Sequence, residues 1–137
     1  MTVSLRSVGA ITLFVEDLQR SKSFYEDVFD MPVVWEDESS AVFKLENTLI
    51  NLLEASAARG LIEPAAVAGP EAGSRFMLSI WVDDADAVCA ELEKRGVTLL
   101  SGPIDREWGK RTATFADPGG HLWEIAQDIP QAGGSSG

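Results

Sequence analysis

The chain has 137 residues, 45% of them hydrophobic and 24% charged, which is the composition of one globular domain with its own core. It carries 22 Asp and Glu against 11 Lys and Arg, and this net charge of −11 argues against nucleic acid or an anionic membrane surface as partners. A single cysteine excludes an intrachain disulfide and a cysteine-based zinc cluster. No signal peptide or long apolar span is visible, so we expect a cytoplasmic protein that binds a small molecule.

The first predicted unit is a strand, an acidic turn and a helix. Residues 8–15 are strand-like, and Asp17 is placed to cap the helix that follows. Pro32 marks the end of that helix. Short strand-like runs then follow at 33–35, 40–45 and 48–53. The apolar positions that recur at helical spacing are Leu18, Tyr25, Val28 and Phe29.

The second predicted unit repeats the first at a constant offset of 67 residues. Ala10 aligns with Met77, Phe14 with Trp81 and Asp17 with Asp84. Gly96 follows the second helix as a left-handed stop, and Cys89 lies on the apolar stripe of that helix. Further strands are predicted at 97–100, 111–116 and 121–126, with a loop at 105–110.

Each half therefore reads β-α-β-β-β, which predicts an α+β fold of two βαβββ modules. We expect a single domain over residues 1–130, with modules at about 7–54 and 75–128. Residues 55–74 are rich in Ala, Gly and Pro, which predicts a linker with one short turn of helix. The Gly- and Ser-rich residues 131–137 predict a flexible tail. Each helix can cover one sheet face, so we expect a ligand cleft between two curved mixed sheets.

Two segments carry a recognisable pattern: Ile11 to Leu18 with Ser21, Ser23, Phe24 and Tyr25, and Phe115 to Ile125 with Asp117-Pro118-Gly119-Gly120. They resemble the opening and closing motifs of the vicinal oxygen chelate superfamily. This group includes glyoxalase I, extradiol dioxygenases, fosfomycin-resistance enzymes and bleomycin-binding proteins. The resemblance covers about residues 7–128 and implies the glyoxalase/bleomycin-resistance fold, which hosts many chemistries.

The resemblance also implies four positions where enzymes of the superfamily hold a divalent metal. In this chain they are Ala10, Asn51, Met77 and Glu124. Alanine has no donor atom, a methionine thioether suits Cu(I), and one carboxylate with one amide is too few for Mn, Fe, Ni or Zn. We therefore expect no metal site and no cofactor. His121 falls on the opposite strand face from Glu124, so we interpret it as a turn residue.

Strand alternation predicts which side chains line the cleft. The set is aromatic and apolar with a few polar groups, as in a ligand pocket. Trp35 and Trp108, in less regular segments, are candidate stacking plates at its mouth. The alternative is that the aromatic and methionine side chains are ordinary core. The predicted ligand-binding residues are Thr12, Phe14, Trp35, Asn51, Met77, Ser79, Trp81, Trp108 and Glu124.

Three functions remain open at this point. The first is a metal-independent binding protein of the bleomycin-resistance type, which sequesters an aromatic or cationic ligand and so serves antibiotic resistance. The second is a lyase, isomerase or dioxygenase that uses Glu124, although the sequence identifies no catalytic residue set. The third is a dimeric scaffold with a closed cleft. In an apolar cleft Glu124 needs a donor, and Asn51 or Thr12 is the expected one. We also predict a homodimer, because exposed strand edges invite a two-fold partner.

Overall fold

The computed structural model describes residues 3–130, so the predicted flexible tail at 131–137 lies outside the described range. The chain divides into two compact units, with the boundary between Glu71 and Ala72. Each unit contains one four-stranded mixed sheet and one long helix. We call these units the first and the second module.

The first module follows the predicted β-α-β-β-β order. Its strand order is β1-β4-β3-β2, with β1 parallel to β4 and the other neighbours antiparallel. Its elements are β1 (Ala10–Val15), α1 (Leu18–Val28), β2 (Val33–Glu36), β3 (Ser40–Lys44) and β4 (Leu49–Glu54).

The segment predicted as a linker is more ordered than the sequence indicated. A helix of two turns, α2 (Ala55–Ile62), begins directly after β4, and a 3-10 turn follows at Pro70–Ala72. Alanine is the strongest helix former, and the alanines outweigh Gly60 in the helix interior. Ala58 is fully buried, so α2 is anchored by packing, and Pro64 stands just beyond its end.

The second module repeats the same topology, with strand order β5-β8-β7-β6 and β5 parallel to β8. The predicted pair of βαβββ units in an α+β fold is therefore confirmed. The elements of this module are β5 (Met77–Trp81), α3 (Ala85–Lys94), β6 (Ser101–Arg106), β7 (Lys110–Ala116) and β8 (Leu122–Asp128).

Both long helices begin at the predicted aspartate caps. The Arg20 amide donates to Asp17 Oδ1 at 3.1 Å, and the Ala87 amide donates to Asp84 Oδ1 at 3.0 Å. Each bond satisfies an amide that has no partner inside its helix. Gly96 follows α3 with φ of +90°, the left-handed conformation expected of a helix stop.

One face of each sheet, which we call the packed face, forms the core of its module. The Tyr25 ring of α1 lies 5.8 Å from the Phe43 ring of β3, which seats the helix on that face. In α3, Cys89 is buried, and burial raises the pKa of its thiol. The buried side chains include Leu13, Val15, Ile50 and Leu52 in the first module and Ala113, Phe115, Trp123 and Ile125 in the second.

The prediction of a strand at 97–100 is wrong, because β6 begins at Ser101. Gly102-Pro103 resembles a strand breaker, but it lies inside a β-bulge of this edge strand. Ser101 stands opposite Thr114 and Ile104 opposite Thr112, so three steps on β6 match two on β7. Gly102 has φ of +86°, and a Cβ there would lie 2.2 Å from the Thr112 carbonyl oxygen. Only glycine fits this backbone without a shift.

Within residues 3–130, none of the helices has the length and apolar character needed to cross a bilayer.

Candidate functional site

The open face of the second module, the side of its sheet opposite the packed face, holds most of the polar side chains that could meet a ligand. Its side chains form rows across the four strands, and neighbouring rows lie about 7 Å apart along a strand. The row that we call the carboxylate row contains Ser79, Glu124, Thr114 and Ser101. The next, the indole row, contains Trp81, Ala126, Thr112 and Ile104.

Glu124 is the acidic centre of this face. It is half-buried, and its Oε1 accepts a hydrogen bond from Ser79 Oγ at 2.7 Å. Among residues 3–130 it has no cationic partner. The other hydroxyls of its row, Ser101 and Thr114, form a hydrogen bond with each other at 2.9 Å. The expectation that Asn51 or Thr12 supplies the donor is wrong, because Ser79 is the direct cross-strand neighbour of Glu124.

Trp81 is the exposed aromatic of the indole row, with 70% of its surface accessible. Lys110 Nζ lies 4.8 Å from the centroid of its ring, within cation–π range. The same ammonium forms an ion pair with Asp128. One side of the indole is thus occupied by Lys110, and a ligand would use the other side or the ring edge.

Arg106 lies on the same open face, directly opposite Lys110. Its Nε donates to Thr112 Oγ1 at 3.0 Å, and its guanidinium carbon lies 5.9 Å from the centroid of the Trp108 ring. The predicted loop at 105–110 is wrong in extent, because β6 continues through Arg106 and β7 begins at Lys110. Only residues 107–109 form the connecting turn, and Trp108 lies at its tip, 64% exposed.

On the packed side of the same strands, an arginine is paired with two carboxylates. Arg111 Nη1 donates to Asp105 at 2.7 Å, and its Nε donates to Asp86 of α3 at 2.9 Å. The hydrogen bonds to Asp105 and Asp86 raise the pKa of the guanidinium above its ordinary value. Arg111 therefore links α3 to the sheet, and both of its carboxylate partners are side chains of the protein.

The open face of the first module is largely apolar. Its central row contains Thr12, Asn51, Val42 and Trp35. Asn51 Nδ2 donates to Thr12 Oγ1 at 3.5 Å, and Asn51 Oδ1 is buried without a hydrogen-bond partner among the described residues. Phe14 and Leu53 form the next row.

The predicted alternation of open and packed positions agrees with the burial of β1 and β5. In β5, Met77, Ser79 and Trp81 are exposed, and the residues between them are partly covered. The structure places four predicted ligand residues, Thr12, Phe14, Trp35 and Asn51, on the first open face. It places Met77, Ser79, Trp81 and Glu124 on the second, with Trp108 at its border. Their role in binding stays a prediction.

Several polar side chains of the second open face were missed by the sequence analysis. Thr112 and Thr114 alternate along the strand predicted at 111–116, so the period of two could have placed them on one face of that strand. Lys110 continues the same alternation, but it was assigned to the predicted loop. Arg106 could not have been found that way, because the bulge interrupts the alternation of β6.

The residues at the four metal positions implied by the family do not form a suitable donor set. Asn51 offers one amide and Glu124 one carboxylate, and neither Ala10 nor Met77 offers the oxygen or nitrogen donor that hard or borderline ions require. No group of three His, Cys, Asp or Glu side chains within the described range could share an ion. The donor chemistry therefore does not fit the divalent ions of the family enzymes, and metal independence stays a prediction.

His121 belongs to the turn between β7 and β8, as interpreted from the sequence. The buried Asp117 carboxylate accepts from the Gly119 amide at 3.0 Å and from the His121 amide at 2.8 Å, and His121 Nδ1 lies 3.1 Å from both carboxylate oxygens. The histidine therefore completes the turn and does not reach the open face that carries Glu124.

Comparison with known proteins places this chain in a family. The profile of the Glyoxalase/Bleomycin resistance protein/Dioxygenase superfamily matches residues 7–125. YraH of Bacillus subtilis is 37% identical over 120 residues, covering 84% of this chain and 93% of its own. The metallothiol transferase FosB of Lysinibacillus sphaericus is 26% identical over 90% of this chain and 83% of its own. A crystal structure of a glyoxalase/bleomycin resistance protein/dioxygenase from Nocardioides superposes with a TM-score of 0.84 at 26% identity, covering 99% of this chain and 91% of that one. The chain belongs to the glyoxalase/bleomycin resistance protein/dioxygenase superfamily.

Proposed function

We propose that this protein binds a small organic cation on the open face of its second module, without a metal. Glu124 accepts the cationic group, and Trp81 contacts the apolar body of the ligand. The observation that carries the proposal is the half-buried Glu124 carboxylate, which has one hydroxyl donor and no cation within residues 3–130.

The charge of the site supports a cationic ligand. A carboxylate that is partly removed from water gains most from a charged donor, and a protonated amine would supply one at Glu124 Oε2. The hydrogen bond from Ser79 holds the Glu124 carboxylate in position, so that side chain loses little conformational entropy when a ligand binds. The net charge of −11 also raises the local concentration of cations around the protein.

Trp81 supports a ligand with a flat apolar part. It lies in the row next to that of Glu124, and its ring is largely exposed to solvent. Large exposed apolar side chains are a common feature of binding surfaces. An aromatic contact with this ring contributes about 0.5–1.5 kcal/mol beyond the burial of area. Sequestration of such a ligand, including an antibiotic, is the role that we propose for this binding.

Calorimetric titration with benzylamine, a minimal aromatic cation, tests the proposal. We expect Glu124→Gln to weaken binding about tenfold, because a charge-assisted hydrogen bond is replaced by a neutral one. Glu46→Gln makes the same change of net charge in an exposed turn of the first module and should leave the affinity within twofold. Equal affinities in all three proteins would contradict the proposal.

Metal independence has its own measurement. Benzylamine binding should be unchanged after treatment with a chelator, and elemental analysis of the purified protein should find no stoichiometric Mn, Fe, Ni or Zn. An ion held through Glu124 would overturn this part of the proposal. Turnover of a bound ligand that Glu124→Gln abolishes would instead identify the protein as an enzyme of the superfamily.

A further inference from the structure

Arg106 differs from the other cations on the strands of the second sheet in its partners. Lys110 forms an ion pair with Asp128, and Arg111 binds two carboxylates. Arg106 has no acidic partner among the described residues, although the protein as a whole is strongly acidic. In a protein with twice as many acidic as basic side chains, a guanidinium without a carboxylate partner is a candidate binding group for an external anion.

The side chain of Arg106 is held in a fixed position by uncharged groups. Its Nε is occupied by Thr112 Oγ1 at 3.0 Å, and the Trp108 ring lies 5.9 Å from its guanidinium carbon. Thr112 itself is only 2% exposed, so this anchor is covered. The two Nη atoms make no hydrogen bond within residues 3–130, and their planar pair of donors matches the two oxygens of an oxyanion.

The position of Arg106 relates it to Glu124. Thr112, to which Arg106 is anchored, lies in the indole row, and Glu124 lies in the adjacent row. Trp81 belongs to the same row as Thr112. Within residues 3–130, the face therefore presents a carboxylate without a cation and a guanidinium without an anion. The exposed indole lies in the row between Glu124 and the row in which Arg106 pairs with Lys110.

From this juxtaposition we infer that the ligand is a zwitterion, with an oxyanion that binds Arg106, an ammonium group that binds Glu124, and an apolar part between them. This inference rests on the proposed function and specifies its ligand class. Glu124 and Thr112, the anchor of Arg106, lie in adjacent rows, whose backbone positions are about 7 Å apart along a strand. A ligand whose two charges are separated by one aromatic ring matches this spacing.

Three related probes test the inference by calorimetry on the whole chain. Benzylamine carries only the ammonium group, benzoate only the carboxylate, and 4-(aminomethyl)benzoate carries both across one ring. We expect 4-(aminomethyl)benzoate to bind about tenfold more tightly than either single-charge probe, because each end adds a charge-assisted interaction. Equal affinity for 4-(aminomethyl)benzoate and benzylamine would overturn the inference.

Variants separate recognition of an anion from a structural role of Arg106. Glutamine at this position keeps a polar side chain that can donate to Thr112. Arg106→Gln should weaken 4-(aminomethyl)benzoate about tenfold and leave benzylamine within twofold, whereas Arg20→Gln on α1, an exposed arginine of the first module, should change neither. If Arg106→Gln weakens benzylamine and 4-(aminomethyl)benzoate equally, the residue acts through the shape of the sheet and the inference fails.

The same set of titrations distinguishes the inference from the proposed function. If Glu124→Gln weakens benzylamine but Arg106→Gln leaves 4-(aminomethyl)benzoate unchanged, the cation site stands and the anion site is refuted. If benzylamine binding does not depend on Glu124, the proposed function fails, and the zwitterion inference fails with it.

Discussion

The two modules can be compared row by row, because their strands pair in the same register. On the packed face, Leu13, Leu52 and Ala41 in the first module correspond to Ile80, Ile125 and Ala113 in the second. On the open face, Thr12, Asn51 and Val42 correspond to Ser79, Glu124 and Thr114. The packed rows are nearly interchangeable, whereas the open rows differ in charge and polarity.

This difference shows which constraint acts on each face. A packed row must fill a fixed volume beneath a helix, which restricts it to aliphatic side chains of similar size. An open row has no such requirement, so its residues are free to follow the chemistry of a ligand. The charged groups of the second open face are therefore a stronger indication of function than any feature that the two modules share.

The largest effect is expected where the modules are most alike. Leu52→Ala and Ile125→Ala should each lower the free energy of unfolding by about 3 kcal/mol, because both side chains are at most 3% exposed and leave a cavity. Urea denaturation measures the loss. Thr12→Ala on the open face should cost less than about 1 kcal/mol. A large loss for only one of the two core variants would show that the packed faces are not equivalent.

A smaller loss of stability is expected at the bulge of β6, where Gly102 has a positive φ. Gly102→Ala should lower the free energy of unfolding by about 2 kcal/mol, since the new Cβ would collide with the Thr112 carbonyl oxygen. Gly73 has nearly the same φ, +83°, but open space around its Cβ position. Gly73→Ala should therefore cost only about 1 kcal/mol, and thermal unfolding can compare the two. Equal losses would mean that the close approach does not matter.

Binding should depend on the open face and not on exposed aromatic surface in general. Trp81→Ala should weaken benzylamine at least tenfold, or about 1.4 kcal/mol, with little change in stability. Phe76 is the matched control, because it is 51% exposed, contacts the His121 ring, and immediately precedes the first open-face position of β5. Phe76→Ala should change the affinity less than twofold. Unchanged affinity in Trp81→Ala would place the binding surface elsewhere.

The smallest effect concerns the turn that connects β2 and β3. The Asp37 carboxylate accepts from the Ser39 amide, the Ser40 hydroxyl and the Ser40 amide, and these bonds lower the pKa of Asp37 below its ordinary value of 3.8. Because the pKa of Asp37 is lower in the folded state than in the unfolded state, ionised Asp37 stabilises the fold at pH values above its unfolded-state pKa. This contribution is lost as the pH falls through its folded-state pKa. A carbon-detected NMR titration should find Asp37 titrating below 3.8, and Asp37→Asn should remove this part of the acid dependence. A titration at or above 3.8 would refute the assignment.

Much of the fold could be predicted from the sequence, because the signals for it are local. The caps at Asp17 and Asp84, the stop at Gly96 and the alternating strands depend on a few adjacent residues each. The helix α2 was underestimated because the burial of Ala58 adds to the helix propensity of its alanines, and composition does not reveal which residues are buried.

The candidate site was predicted only in part, for reasons of register. Alternation was enough to place Glu124 and Trp81 on the open face. The donor to Glu124 depends on which residue lies opposite it, and this was set by the pairing of β5 with β8, 45 residues apart along the chain. Arg106 was assigned to a loop because the bulge at Gly102-Pro103 interrupts the alternation of β6, and a strand with such an interruption does not show a period of two in its sequence.

The bulge also decides the sign of the charge at the edge of the open face. Counting regularly from the pair Ser101–Thr114, Asp105 would stand opposite Lys110, on the open side, and Arg106 would point to the core side. The one inserted residue exchanges them, so Asp105 pairs with Arg111 beneath the sheet and Arg106 faces outward. A deletion of one residue at this bulge would therefore invert the electrostatic preference of the surface without altering any side chain. Insertions and deletions at such an edge give a lineage a route to a new ligand class that point substitutions do not provide.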